Sequence, residues 1–449
     1  MNAGRIKNFI KYSSFNVLGM IGLSCYILAD TFFVSKGLGT NGLAALNLAI
    51  PVYSFIHGSG LMIGMGAATK YSIQRSRKEN DTANRTFTNA VYLAVVFAVL
   101  FMFIGIFFSG NIASAFGADK NVFDMARTYL QVILLFSPAF LMNNVLLCFV
   151  RNDGAPQLSM AAMICGSLSN VVLDWVFIFP CHMGIFGAVF ATGLAPVISM
   201  MILSVHFIKK KNGFTLTKCR PQFRTAGRIL SCGVPSLVTE VSSGVVMIVF
   251  NSIILNLEGN VGVAAYGVIA NLSLVVIAVY TGIAQGIQPI VSRSYGMKKY
   301  DEVSAYLRYA VMTMLLFSAV IYAAVFFFAS QITSVFNSEN NSVLQNIASD
   351  GLRLYFIACP FAGFNVILSI YFTSTEYAAP AHIISLLRGF IIIIPMAFLL
   401  SHILKINGVW LAFPATEFLV CVTGLILYTV IKRKRENRFS ETDKKSTAE

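Results

Sequence analysis

Long apolar stretches without charged residues alternate with short polar segments along the whole chain. A helix of about 20 apolar residues is needed to cross the hydrocarbon core of a bilayer, and in lipid the backbone must satisfy its hydrogen bonds internally. The pattern therefore predicts an all-α integral membrane protein with twelve transmembrane helices. The twelve stretches run over approximately 9–34, 43–69, 88–109, 127–149, 157–179, 186–208, 230–256, 261–290, 306–329, 351–374, 379–400 and 407–431.

The second half of the chain repeats the first about 220 residues later. Each half has six predicted spans, an even number, so both halves enter the membrane from the same side. Two parallel-repeat six-helix bundles, related by a pseudo-two-fold axis along the membrane normal, are therefore expected. The matching pairs include Gly42 and Gly262, Ala45 and Ala265, Gly66 and Gly286, Lys78 and Lys298, Phe116 and Phe336, Pro138 and Pro360, and Asn143 and Asn365.

Polar segments divide the chain into four parts. Spans 1–6 form an N-terminal lobe over residues 1–208, and spans 7–12 form a C-terminal lobe over 229–431. Between them, 209–228 is the longest internal polar segment and predicts a basic linker. The basic end of the chain, 432–449, is typical of a solvated, disordered tail.

The basic residues give the orientation in the membrane. The chain is 57% hydrophobic and 12% charged, with a net charge of +14. With a cytoplasmic amino terminus, 27 of the 33 lysines and arginines lie inside, five lie outside, and Arg388 lies within a span. This bias predicts that both termini and the linker are cytoplasmic. Anionic lipid accounts for the positive charge, so no nucleic-acid partner is expected.

The sequence offers no arrangement typical of an enzyme. It has no phosphate-binding P-loop, and its eight cysteines are scattered without a C-x-x-C pair. The five histidines have no metal-ligand spacing, and the glycines between 58 and 66 have the small-residue spacing of packed membrane helices. We therefore expect no catalytic activity and no cofactor.

Four carboxylates fall within predicted spans, namely Asp30, Asp174, Glu240 and Glu417. An ionised side chain at that depth costs several kcal/mol unless it is paired, hydrated or neutralised. Such residues are candidates for function, and a structural hydrogen bond between helices is the alternative interpretation.

Two of these carboxylates share a depth with two polar neutral residues. Asp30 and Asp174 are four and five residues from the outer ends of their spans, and Thr192 is six residues into the span that follows. Asn170 precedes Asp174 by one helical turn, so both project from one face. At about 1.5 Å per residue the four side chains form one layer of the N-terminal lobe. This oxygen-rich layer suits Na⁺, and the two carboxylates could instead share a proton; the sequence leaves both open.

Several motifs resemble the multidrug and toxic compound extrusion (MATE) transporters, in an order and spacing that cover residues 10 to 430. Each motif is weak alone, and together with the twelve-helix frame they are specific. They are Asp30-Thr31-Phe32-Phe33-Val34, Gly37-Leu38-Gly39, Leu43-Ala44-Ala45-Leu46, Arg151-Asn152-Asp153-Gly154-Ala155-Pro156, Asn170-Val171-Val172-Leu173-Asp174, Gly187-Ala188-Val189-Phe190-Ala191-Thr192, Gly233-Val234-Pro235, Ala264-Ala265-Tyr266-Gly267 and Gly408-Val409-Trp410-Leu411-Ala412.

The resemblance implies a cation-coupled exporter of organic, often cationic and amphipathic compounds that works by alternating access of two lobes. The family's coupling residues match Asp30, Asn170, Asp174 and Thr192. Some relatives carry a seventh-helix glutamate, and Glu240 lies in that helix about one turn early. Those relatives also use a tenth-helix acidic residue, which has no acidic match near Asn365. Glu240, Asn365 and Glu417 are therefore retained as auxiliary candidates in the C-terminal lobe.

The resulting hypothesis is an antiporter in the cell (inner) membrane that exchanges Na⁺ or H⁺ for a small organic molecule. We expect a monomer in the lipid bilayer. A lipid-linked oligosaccharide flippase of related architecture is the alternative, and would require cationic residues along the cavity. An integral-membrane transferase is a further alternative, and would require His, Asp or Cys clusters near one membrane face.

Overall fold

The structure, a computed structural model, describes residues 3–337 and 341–446, with side chains described as far as residue 433. Long helices account for nearly all of these residues. Their bounds are α1 Ala3–Ser76, α2 Asn80–Ala115, α3 Phe123–Leu135, α4 Ser137–Asn152, α5 Pro156–Ile178, α6 Gly184–Ile208, α7 Phe223–Gly296, α8 Tyr300–Phe336, α9 Ser342–Tyr355, α10 Cys359–Ser374, α11 Ala378–Leu386, α12 Ile393–Leu404 and α13 Ile406–Ser446.

Two helices each contain two membrane spans. α1 has 74 residues and would measure about 110 Å if straight, far more than the bilayer core of about 30 Å. It folds back at Gly39, where φ is 67° and ψ is −159°. The hydroxyls of Tyr26 and Tyr53 lie 2.8 Å apart, which requires the two arms of α1 to run side by side.

The same turn recurs in α7. Gly259 has φ 63° and ψ −156°, and the rings of Phe250 and Tyr266 on either side of it are 5.6 Å apart. Only glycine adopts positive φ at little cost, which explains why both turns use it. Among the described residues nine helices are long and apolar enough to span a membrane, and the bent pair α3–α4 makes a tenth. With α1 and α7 each folded in two, the chain has twelve spans, as the sequence predicts.

The fourth and tenth spans are broken at corresponding places. α3 and α4 meet at a 47° bend, and a 3₁₀ turn over Phe356–Ala358 separates α9 from α10. Pro138 and Pro360 lie at the start of α4 and α10. Proline lacks an N–H and favours the first turn of a helix, so this matched pair fixes where the new helix begins.

The two lobes, α1–α6 and α7–α13, meet through matched surfaces. A Cβ on Gly66 of α1 would lie 3.1 Å from the backbone N of Gly233 in α7, and one on Gly286 would lie 2.7 Å from Cα of Ser13. Gly286 lies 220 positions after Gly66, and Gly233 lies 220 positions after Ser13, so the two contacts are repeats of each other. The interface therefore has the pseudo-two-fold symmetry expected of parallel repeats.

Hydrogen bonds between the lobes lie in the half of the described molecule that carries the basic loops, here called the basic side. Arg151 of α4 donates through Nη1 to Asn16 Oδ1 at 2.9 Å and to Gln285 Oε1 at 2.8 Å. Nearby, Lys70 and Glu376 form an ion pair of 3.0 Å. The lobes are thus sealed together on the basic side.

Arg151 differs from what the sequence indicates. The charge count places it on the inner side, just after the predicted span 127–149, whereas the structure places it in the last turn of α4 and only 2% exposed. Five N–H donors in a planar fork let arginine bridge several neutral acceptors, and here the acceptors come from both lobes.

The basic linker between the lobes packs against the N-terminal lobe as a strap. Its non-helical part is 209–222, because α7 begins at Phe223. Phe214 is fully buried among the rings of α1, α2, α4 and α6. The backbone N–H groups of Thr217 and Gln222 donate to side chains of α2, at 3.0 and 2.9 Å.

Asp153 anchors the strap. It accepts hydrogen bonds from the Tyr71 hydroxyl at 2.5 Å, from His206 Nε2 at 2.8 Å and from the backbone N–H of Gly213 at 2.6 Å.

Asp153→Ala would leave these buried donors unpaired, so we expect the free energy of unfolding to fall by about 2–4 kcal/mol. Thermal unfolding in detergent measures this. Asp124→Ala, at an exposed position, is the matched control, and an equal shift in both variants would contradict the anchoring role.

The last helix is longer than its predicted span. α13 is assigned as far as Ser446, whereas the sequence predicts a disordered tail over 432–449. The lysines, arginines and glutamates that follow the span are good helix formers, which accounts for the continuation. Residues 447–449 lie outside the described residues.

Candidate functional site

Glycines in the first arm of α1 bring it close to α5. A Cβ on Gly22 would lie 3.3 Å from Ile164 Cγ1, and one on Gly37 would lie 2.3 Å from Ile178 Cγ2. Small residues at such positions let membrane helices approach closely. The contact between these two helices places Asp30 of α1 beside Asp174 of α5.

The Asp30 and Asp174 side chains are within hydrogen-bonding reach of each other. They are only 7% and 0% exposed. The Oδ1 atom of each is fully buried and has no hydrogen-bond partner among the described residues. Two carboxylates therefore meet in a buried place, each with a free oxygen.

Asn170 and Thr192 support this pair and are themselves buried. In the amide orientation that satisfies both of its polar atoms, Asn170 donates to Asp174 Oδ2 at 3.1 Å and accepts from the backbone N–H of Thr192 at 3.2 Å. The Thr192 hydroxyl donates to the Ala188 carbonyl at 3.1 Å. The four residues predicted from the sequence, Asp30, Asn170, Asp174 and Thr192, therefore lie together. Asn170 and Thr192 form hydrogen bonds with other protein groups.

Three tyrosines around the pair, of which Tyr26 and Tyr129 are buried and Tyr53 is partly buried, were not identified from the sequence. Tyr26 lies one turn before Asp30 and is hydrogen-bonded to Tyr53. The Tyr129 hydroxyl of α3 lies near the Thr192 side chain. In the sequence, only Tyr26 is marked as a neighbour of the pair, by its spacing of one helical turn from Asp30. Tyr53 and Tyr129 are not marked, because aromatic residues are abundant throughout membrane spans.

The C-terminal lobe holds a separate polar cluster. Glu417 of α13 accepts through Oε1 from Arg388 Nε at 3.1 Å and Nη2 at 2.9 Å. Its Oε2 accepts from Asn365 Nδ2 of α10 at 2.7 Å. Arg388 lies in a π-helical segment, Leu387–Ile391, between α11 and α12. Two of the auxiliary candidates are thus joined, and Glu417 is neutralised by arginine.

Glu240 is not part of that cluster. A Cβ on Gly58 of α1 would lie 3.0 Å from Glu240 Cβ, and Glu240 is also near Tyr53. Glu240 therefore lies at the lobe interface, near the tyrosines of the N-terminal lobe.

Comparison of the sequence with models of protein families identifies the family of this protein. The MatE family model matches residues 17–176 and 235–399, one segment in each lobe. The chain belongs to the MatE family. The resemblance drawn from the sequence motifs is confirmed.

Named relatives agree with MatE membership. The chain is 23% identical over 430 residues to the multidrug export protein MepA of Staphylococcus saprophyticus, covering 95% of this chain and 94% of the relative. It is 22% identical over 434 residues to MepA of Staphylococcus aureus, with the same coverage.

Solved structures give the same fold. One is an outward-facing multidrug resistance MATE transporter of the MOP superfamily, with a TM-score of 0.89, 23% identity, and 96% and 97% of the two chains covered. Another is a MOP superfamily transporter from Pyrococcus furiosus, with a TM-score of 0.88, 24% identity, and 94% and 95% covered.

The site described above combines two buried carboxylates, each with an unpartnered oxygen. Carboxylate oxygens are the ligands preferred by hard cations, and the two unpartnered Oδ1 atoms of Asp30 and Asp174 fit a Na⁺ ion or a shared proton. No group of three or more His, Cys, Asp or Glu side chains suited to a metal occurs in the part of the chain that the structure describes.

Proposed function

We propose that this MatE-family protein exports organic, cationic and amphipathic compounds by antiport with Na⁺ or H⁺. The observation that carries the proposal is the buried Asp30–Asp174 pair with one unpartnered oxygen on each side chain. The names of the MepA relatives, multidrug export proteins, support the export of drugs.

In this mechanism the ion and the drug compete for one pair of charges. When the pair is ionised, it attracts a cationic drug, whose aromatic body packs on nearby rings such as Tyr53. When Na⁺ or H⁺ occupies the pair, the drug loses its electrostatic partner. Thermodynamic reciprocity requires each ligand to weaken the binding of the other.

Asn170 and Thr192 act as positioning residues in this proposal. Asn170 holds Asp174 Oδ2 by its amide, and Thr192 holds Asn170 by its backbone N–H. Their hydrogen bonds hold the Asp174 carboxylate in place beside Asp30, with Asp174 Oδ1 left unpartnered for a small ion.

The basic side is cytoplasmic in this proposal, with both termini inside and the protein a monomer in the cell membrane. The basic loops would then face anionic lipid, as the positive-inside rule predicts. The lobes are sealed on that side by Arg151 and its partners. Such a seal suits the state that releases drug outward and receives the coupling ion.

Purified protein in liposomes tests the proposal. We expect efflux of a fluorescent organic cation to accelerate when a Na⁺ gradient or a H⁺ gradient is imposed alone, with the effective ion identified by which one works. Liposomes without protein, and ionophores that collapse each gradient, are the controls. Efflux that responds to neither gradient would overturn ion-coupled antiport.

A further inference from the structure

Arg388 is a cation placed near the middle of a membrane span. It lies in the segment Ala378–Leu404, and Glu417 is similarly central in its own span, Ile406–Arg433. Ionisable residues at this depth are costly and mark substrate or ion pathways. The antiport proposed above uses the N-terminal pair and leaves Arg388 without a role.

The arginine is only partly used by its protein partners. Nε and Nη2 both donate to one oxygen of Glu417, Oε1, while Oε2 is occupied by Asn365. An arginine has five N–H donors. Nη1 donates to no protein atom among the described residues and is not one of their fully buried polar atoms. The guanidinium therefore has unused donors that reach open space.

That open space is on the inner side of the helix. Ile391 and Leu386 of the same segment are 57% and 39% exposed and carry its lipid-facing surface. Gly389, next to Arg388, is buried against Ser242 of α7. N–H donors that faced acyl chains would be unsatisfied at a cost of several kcal/mol, so the 11% of the arginine side chain that is exposed faces the polar interior between helices.

The local backbone also favours a ligand site. The π-helical turn widens the helix at Arg388, and such turns occur frequently at functional sites. Tyr355 lies near enough to Arg388 and Glu417 for both charges to act on its hydroxyl, and its ring stacks on Phe413 at 4.6 Å. A fixed guanidinium beside an aromatic wall can bind an aromatic molecule that carries a carboxylate.

We propose that Arg388, held by Glu417 and Asn365, is a subsite for the carboxylate of zwitterionic amphipathic substrates. The proposal rests on the export function proposed above and names a further substrate class for it. The N-terminal pair would attract the positive end of such a molecule, and Arg388 its negative end. Glu417 and Asn365 are positioning residues that hold the guanidinium.

A matched pair of dyes provides the test. Rhodamine B carries a free carboxylate, and its ethyl ester is the same cation without that charge. Efflux of each dye is measured in the same liposomes under the same driving gradient, and the ratio of the two initial rates is the readout. A purely structural role for Arg388 would change both rates and leave this ratio unaltered.

The informative variant is Arg388→Gln combined with Glu417→Gln, because it removes both charges and leaves no buried carboxylate unpaired. We expect rhodamine B efflux to fall about tenfold or more, because its carboxylate loses charge-assisted hydrogen bonds to the guanidinium. Efflux of the ester should stay within about twofold of the wild-type rate. Arg388→Lys keeps the charge without the planar fork, and we expect an intermediate ratio. Arg353→Gln, at an exposed ion pair, should leave both rates unchanged.

The outcomes separate this proposal from the proposed function. Equal loss of both dyes, or no loss of either, in the double variant would overturn the carboxylate subsite. Failure of the wild-type protein to export the ester under any gradient would instead count against ion-coupled export of organic cations.

Discussion

Asp30→Asn is expected to abolish gradient-driven export while leaving the protein folded. Asparagine keeps the size of the side chain and its capacity to hydrogen-bond with Asp174, but it cannot release a proton or offer a charged oxygen to Na⁺. Without ion binding at the pair, the ion gradient has no means to change the affinity for the drug. Efflux should therefore fall to the rate of liposomes without protein.

The same variant should be at least as stable as the wild-type protein. Two carboxylates within hydrogen-bonding reach repel each other when both are ionised, and the repulsion is large in a buried place. Replacing one by a neutral amide removes that repulsion, so we expect an equal or higher unfolding temperature in detergent. Loss of export without loss of stability distinguishes a coupling role from a structural one.

Asp174→Asn should behave in the same way, because the two residues act on one ion. Asp350→Asn is the matched control, since its side chain is 66% exposed and far along the chain from the pair. Efflux at the wild-type rate in the Asp30 variant, under the gradient that drives the wild-type protein, would remove Asp30 from the mechanism.

The sequence predicts the spans well, because the bilayer imposes a minimum length on every apolar helix. It shows a polar segment, 35–42, between the first two spans, but not that Gly39 alone makes the turn, because that segment contains three glycines. Pro138 and Pro360 do signal the breaks before α4 and α10, as both mark the first turn of a new helix.

For the N-terminal site, depth in the membrane is the informative quantity. Asp30 and Asp174 are rare charges at similar depths, so counting residues from the span ends suffices to group them. The hydroxyls of Tyr53 and Tyr129 come from other helices, and nothing in their local sequence separates them from the many other aromatic residues. Their part in the network depends on helix rotation, which tertiary packing decides.

The C-terminal cluster could have been grouped by charge balance. Arg388 is the one cation within a predicted span, and a buried charge requires a partner; Glu240 and Glu417 are the carboxylates within predicted spans of the same lobe, so charge balance leaves two candidate partners. The distances that join them to Asn365 depend on the π-helical turn and were not predictable from spacing. The buried state of Arg151 is likewise hidden, because a charge count cannot separate a loop arginine from one enclosed between two lobes.

Gly66→Ala and Gly233→Ala are expected to prevent the lobes from closing on the basic side. A Cβ at Gly66 would lie 2.1 Å from the Ile229 carbonyl oxygen, and one at Gly233 would lie 1.8 Å from the Met62 carbonyl oxygen. Backbone atoms cannot rotate away as side chains do, so the lobes must separate. Overpacking costs about 1–3 kcal/mol, which reduces the closed population by a factor of about 5 to 150.

Spin labels at Lys78 and Lys298, the matched turns of the two lobes, measure this separation in a background with the native cysteines replaced. In both alanine variants we expect longer distances and export reduced by about tenfold or more, with drug binding retained. Gly244→Ala is the control, because a Cβ there would meet no atom within 4 Å. An unchanged distance distribution in the Gly233 variant would contradict the close approach of α1 and α7. Because closure and opening must both occur in each cycle, a block on one side suffices to stop transport even when the ion pair is intact.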